Sequence, residues 1–93
     1  MFDYLALFEQ YLLVELCLAD NTRAAYLRDL RLLQKALGLQ DSEGMLGVSR
    51  RQLLAYLSQL KQSGRSDSTI ARRLDSIKAF YRFLTAERYL RRD

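Results

Sequence analysis

No proline occurs anywhere in the 93 residues, and the only other strong backbone breakers are four glycines, at positions 38, 44, 47 and 64. Inside a helix, proline removes a backbone hydrogen bond and clashes with the preceding turn, at about 3 kcal/mol or more. Glycine costs about 1 kcal/mol there. The chain is therefore free to run helical except where the glycines gather, which leaves residues 38–48 as a loop. No stretch alternates apolar and polar residues with period two, so the expected class is all-α.

Four helices are expected, at about 2–18, 20–37, 49–63 and 67–86, forming a single domain over 1–93. In the first, Phe2, Leu5, Leu12, Leu13 and Leu16 make one face, while Tyr4, Leu7, Phe8, Tyr11, Val14 and Leu18 spread over the rest. One core face needs only three or four apolar residues per two turns. The surplus implies either a helix wrapped on all sides or a second contact surface.

Asp20 or Asn21 is the expected N-cap of the second helix, and Gly38 its stop. Tyr26, Leu30, Leu33 and Leu37 form its buried stripe; almost opposite, Ala24, Arg28, Arg31 and Lys35 make a basic edge that begins with a small side chain. Ser49 opens the third helix as a capping box with Gln52. Leu53, Leu57 and Leu60 are its expected core positions, flanked by Leu54 and Tyr56, and Gly64 ends it. Arg50 and Arg51 stand in its first turn against the helix dipole, a weak pointer to a nearby anion.

The fourth helix carries two kinds of surface. Ile70, Leu74, Ile77, Tyr81 and Leu84 fall within a stripe about 80° wide at 100° per residue. Thr69, Arg72, Arg73 and Ser76 lie together on one flank of it. One end of the helix is thus expected in a core, the other to offer a basic, hydroxyl-rich surface.

Charge is divided unevenly. Residues 1–20 hold four acids and no Lys or Arg, net −4, whereas residues 21–93 hold all 15 basic residues and seven acids, net +8. A basic body with an acidic first helix suits a polyanion on one side. Histidine is absent, so acid–base catalysis near neutral pH would need a strongly shifted carboxylate, Lys or Tyr. Cys17, the lone cysteine, is expected as a small core residue in a reducing, cytoplasmic setting. Its solitude argues against a disulfide or a cysteine-based metal site. Asp3, Glu9 and Glu15 interrupt the apolar first helix, which argues against a signal peptide or a membrane span. The expectations are no catalytic residue, no metal and no cofactor.

What remains is binding, and two strings make it specific. Asn21-Thr22-Arg23-Ala24-Ala25-Tyr26-Leu27-Arg28-Asp29-Leu30 resembles the N-T-x-x-x-Y-x-x-D-L signature of the N-terminal core-binding domain of tyrosine recombinases, the phage-integrase and Xer type. GRSDSTIARRLDSIKAFYRFL, Gly64 to Leu84, is similar to a second pattern of that family. The resemblance implies a four- to five-helix orthogonal bundle, SAM-like, that forms half of a clamp around double-stranded DNA. It implies that Thr22, Ala24, Ala25 and Arg28 on helix 2, and Ser68, Thr69, Arg72 and Arg73 on helix 4, face the core recombination site. Arg72 is the expected reader of a guanine edge. It implies that the catalytic residues lie in a separate C-terminal domain beyond Asp93 and that the chain starts naturally at Met1, so the fragment itself is no enzyme. Helix 1 is then expected to meet other recombinase protomers in the full-length protein, with the isolated domain monomeric or weakly self-associating.

Two other readings fit the composition. One is a helix-turn-helix transcriptional regulator, with the fourth helix reading DNA from a dimer on a palindromic site. The other is a helical protein–protein interaction module that binds through its first helix.

Overall fold

Asp3 starts the first helix: its carboxylate accepts from the Leu5 and Ala6 amides, each at 3.1 Å. The structure, a computed structural model, describes residues 2–91. Among these, four α-helices and one short 3-10 helix follow in order, with no strand. They are α1 (Tyr4–Val14), α2 (Asp20–Ala36), the 3-10 helix (Ser42–Gly47), α3 (Arg50–Gln62) and α4 (Asp67–Ala86).

α1 ends at Val14, four residues before the expected Leu18. The backbone widens there: the Leu16 amide reaches the Tyr11 carbonyl at 3.2 Å and the Leu18 amide reaches Leu12 at 3.0 Å. Cys17 takes a left-handed φ of 53° at this corner and is exposed, so the expectation of a core cysteine is corrected. The Arg23 guanidinium donates to the Leu18 carbonyl at 2.7 Å and to Asp20 at 2.6 Å, which ties the corner to the first turn of α2. Ala19, not Asp20 or Asn21, is the N-cap of α2 and makes no side-chain cap bond. Asp20 instead sits inside the first turn, where a negative charge suits the helix dipole.

The glycine stops fall where expected. Gly38 adopts φ 70° while the Leu39 amide bonds to Gln34, a Schellman turn that ends α2. Gly64, at φ 91°, ends α3 the same way through Arg65 and Leu60. Part of the expected loop is the 3-10 helix. Asp41 caps it, Met45 is fully buried, and the buried Ser42 hydroxyl accepts from the Tyr4 amide at 2.8 Å. Ser49 and Gln52 close the capping box of α3 in both directions, at 2.9 and 3.2 Å.

α4 packs against α1, α2 and α3, and that centrality widens its buried arc. Its deepest residues are Ser76, Ile77, Phe80, Phe83 and Leu84; Ile70, Leu74 and Tyr81 of the expected stripe are only half-buried. Phe80 meets Phe8 edge-on at 5.2 Å between ring centroids, and Phe83 meets Tyr11 at 5.0 Å. Such pairs add about 0.5–1.5 kcal/mol each beyond burial. Leu12, Leu30, Leu33 and Met45 complete the fully buried centre. Tyr56, expected on a flank, is the one buried residue of α3, while Leu53, Leu57 and Leu60 are half-buried.

Just past α4 and its C-cap Glu87, Arg88 occupies the left-handed position at φ 63° while the Tyr89 amide bonds to Leu84 at 2.9 Å. Tyr89 then lies edge-on against Tyr4 at 5.3 Å. The tail folds back onto the start of α1 as far as the described residues run; Arg92 and Asp93 lie outside them.

Candidate nucleic-acid interface

The residues singled out in the sequence sit in the N-terminal halves of α2 and α4, the two helices that share the most extensive contact. Thr22, Ala24 and Arg28 are exposed and Ala25 is half-buried. On α4, Ser68 is exposed and Thr69 half-buried. The Ser66 hydroxyl accepts from the Thr69 amide at 3.2 Å, donates to the Thr69 hydroxyl at 2.9 Å, and lies 3.2 Å from that of Ser68. Three hydroxyls therefore gather at the α4 N-terminus, where unpaired amides and the dipole favour an anion. Asp67, the one acid in that turn, is held at 2.7 Å by Lys61, which keeps its carboxyl below the usual range through a hydrogen bond and direct attraction.

Asp29 of α2 and Arg72 of α4 form a half-buried ion pair. The Arg72 guanidinium donates from Nε to one Asp29 oxygen at 3.1 Å and from Nη2 to the other at 2.9 Å. The Ser76 hydroxyl donates to the same carboxylate at 2.9 Å. The Asp29 side chain is 1% exposed and that of Arg72 is 42% exposed. A carboxylate taken out of water costs several kcal/mol unless charge and hydrogen bonds replace its hydration. Here three donors do so. The helical spacing makes this possible: Arg72 and Ser76 are four apart and share a face.

Arg73 does not join this surface. It is 9% exposed and donates from Nη1 to the Tyr56 hydroxyl at 2.9 Å, with Nε buried and unpaired among the described residues. Its expected DNA-facing position is thus replaced by an inward one that pins α4 to α3. The flank drawn from the sequence was wide enough to hold both arginines, and the α2 carboxylate on one side and the α3 phenol on the other separate them.

The basic edge of α2 is also divided. Arg31 and Lys35 line a concavity of about 710 Å3 together with Asp3, Glu9 and Asp41, so acids offset their charge locally. Arg28 is free of that concavity and lies nearer the α2 N-terminus.

Asp29 and Tyr56 were not among the residues expected to face a partner, and Ser76, expected on the surface flank of the fourth helix, is fully buried. Asp29 was detectable: it lies about 60° from Tyr26 on the wheel, on the border of the buried stripe, where a charge needs a partner. Nothing local identified the partner, 43 residues away. Among the described residues no group of three or more His, Cys, Asp or Glu could hold a metal, and no helix is long and apolar enough to cross a membrane.

Residues 5–88 match the family described as phage integrase, N-terminal SAM-like domain. Tyrosine recombinase XerC of Herpetosiphon aurantiacus is 40% identical over 80 residues, covering 86% of this chain and 26% of its own length. XerC of Pediococcus pentosaceus is 35% identical over 83 residues, covering 88% and 28%. XerD of Oceanobacillus iheyensis is 33% identical over 87 residues, covering 92% and 29%. The chain spans just over a quarter of the length of these curated relatives. No solved structure matches it at comparable significance.

Proposed function

The chain belongs to the phage integrase N-terminal SAM-like domain family, and from that premise we propose that it grips double-stranded DNA at the core site of a tyrosine recombinase. The gripping surface is the paired N-terminal turns of α2 and α4. One observation carries this reading: the bidentate Asp29–Arg72 bridge joins the middle of α2 to the N-terminal half of α4, the two helices that carry Thr22, Ala24, Arg28, Ser68 and Thr69. Ala24 and Ala25 allow a groove wall or backbone to come close. Arg28 neutralises a phosphate, Thr22, Ser68 and Thr69 position through phosphate oxygens, and Arg72 approaches a base edge. Arg73 supports the surface from within, so its place is structural.

Strand breakage and rejoining fall to the remainder of the parent recombinase, and the setting is the cytoplasm. Leu13, Val14 and Leu16, exposed at the end of α1, are the surface offered to neighbouring protomers. The lone domain is monomeric or weakly self-associating.

With Arg28 as the one cation assigned to a phosphate, the slope of log affinity against log salt is about −0.9, a loss of about 3.5-fold between 50 and 200 mM. Fluorescence anisotropy with a duplex across that range tests the proposal. Arg28→Ala is expected to weaken binding and flatten the slope by about 1. A wild-type domain that binds no duplex even at 50 mM salt defeats it.

A further inference from the structure

We infer that Asp29 is a positioning residue for DNA recognition: its buried carboxylate holds one edge of the Arg72 guanidinium so that the other edge meets the nucleic acid in a fixed orientation. This rests on the DNA-gripping role proposed above and adds a residue that touches no DNA itself.

The geometry divides the guanidinium in two. Nε and Nη2, which form one edge of the planar fork, are both committed to Asp29 at 3.1 and 2.9 Å. Nη1 and the second Nη2 hydrogen make no bond to any described residue, and the side chain keeps 42% of its surface. An arginine without such an anchor loses rotamer entropy when it docks. Here that ordering precedes contact. Ser76 holds the carboxylate in turn at 2.9 Å, and it is fully buried, so the anchor cannot swing out with the arginine. The free edge carries parallel N–H donors, the pattern that matches guanine O6 and N7 or two phosphate oxygens.

The sign of one substitution separates this role from ordinary electrostatics. Asp29→Asn removes a negative charge close to the proposed DNA face. If Asp29 acted only through its charge, binding would tighten. A positioning role requires the opposite, because the amide offers one oxygen where the carboxylate offered two, and the fork is released.

The test is duplex binding at 150 mM salt by wild type, Asp29→Asn, Arg72→Met and the double variant, with folding followed by circular dichroism. Asp29→Asn is expected to weaken binding on the order of tenfold, as for loss of a bidentate contact. In the Arg72→Met background the same change is expected to do nothing further or to tighten binding. Equal or tighter binding by Asp29→Asn alone overturns the inference and leaves the DNA-gripping role standing. An equal loss in both backgrounds overturns it too, since that marks a structural effect. A wild type that binds no duplex removes both. Should Asp29→Asn fail to fold, the wild-type arginine Nε–H resonances decide: the Arg72 signal is expected to stay slowly exchanging when DNA is added, and its loss on DNA addition overturns the inference.

Discussion

Asp29 and Arg72 stand 43 residues apart in the chain and meet edge to edge across α2 and α4 at 2.9 and 3.1 Å. The two partners are unequal in burial, 1% against 42% side-chain exposure, and the asymmetry orders the consequences of breaking the pair. Removing Arg72 strands a buried carboxylate with only Ser76 as donor. Removing the charge of Asp29 frees a guanidinium that already reaches water. Arg72→Met is therefore expected to cost about 3 kcal/mol and Asp29→Asn about 1 kcal/mol. Urea titration of both variants checks the order, and a larger loss for Asp29→Asn contradicts it.

Phe8 and Phe80 are both fully buried and in edge contact at 5.2 Å. Either Phe→Ala substitution is expected to destabilise by about 3–5 kcal/mol. The double variant should lose less than the sum, because the second truncation removes a contact already gone. Denaturant midpoints for the two singles and the double measure that coupling.

Arg88 holds the left-handed turn that glycine fills at the ends of α2 and α3. A side chain there costs about 1–2 kcal/mol, and glycine returns part of it through its greater freedom in the unfolded chain. Arg88→Gly is expected to stabilise by about 0.5 kcal/mol, seen as a small rise in Tm. At Gly64, with φ 91°, the reverse change to Ala should destabilise by about 1 kcal/mol.

Tyr81 donates its hydroxyl to the Met45 carbonyl at 2.6 Å, and burial pushes its pKa up from 10.0 to about 12. The folded state thus holds this proton more tightly than the unfolded chain. Its contribution is complete below pH 10 and is lost as pH rises from 10 to about 12. The loss is expected to be about 2 kcal/mol, after allowance for the partial exposure of the side chain. Unfolding free energies measured between pH 9 and 12 should fall for the wild type and stay flatter for Tyr81→Phe.

The features legible in the sequence were those set by neighbours within one helical turn. The Ser49–Gln52 box, the stops at Gly38 and Gly64 and the exposed Arg28 edge depend on local backbone chemistry. The end of α1 was not legible, because Cys17 adopts a conformation that no local residue preference signals. The rotated buried face of α4 was hidden too: Ser76 and Arg73 are polar yet buried, and the apolar stripe alone could not place them. At the candidate site the sequence pointed to the N-terminal halves of α2 and α4. It could not distribute Arg72 and Arg73 between them, since the carboxylate of Asp29 and the phenol of Tyr56 that separate the pair come from other helices.

Tyr89 rests against Tyr4, Phe2 and Phe83, with ring centroids 5.3 to 6.3 Å apart. This clasp gives the domain a mechanical character. Tension applied along the chain beyond Leu90 is expected to load this cluster of rings, which also holds the start of α1, before it reaches α4. Load entering at one end is shared with α1 before it reaches the helix that carries Arg72.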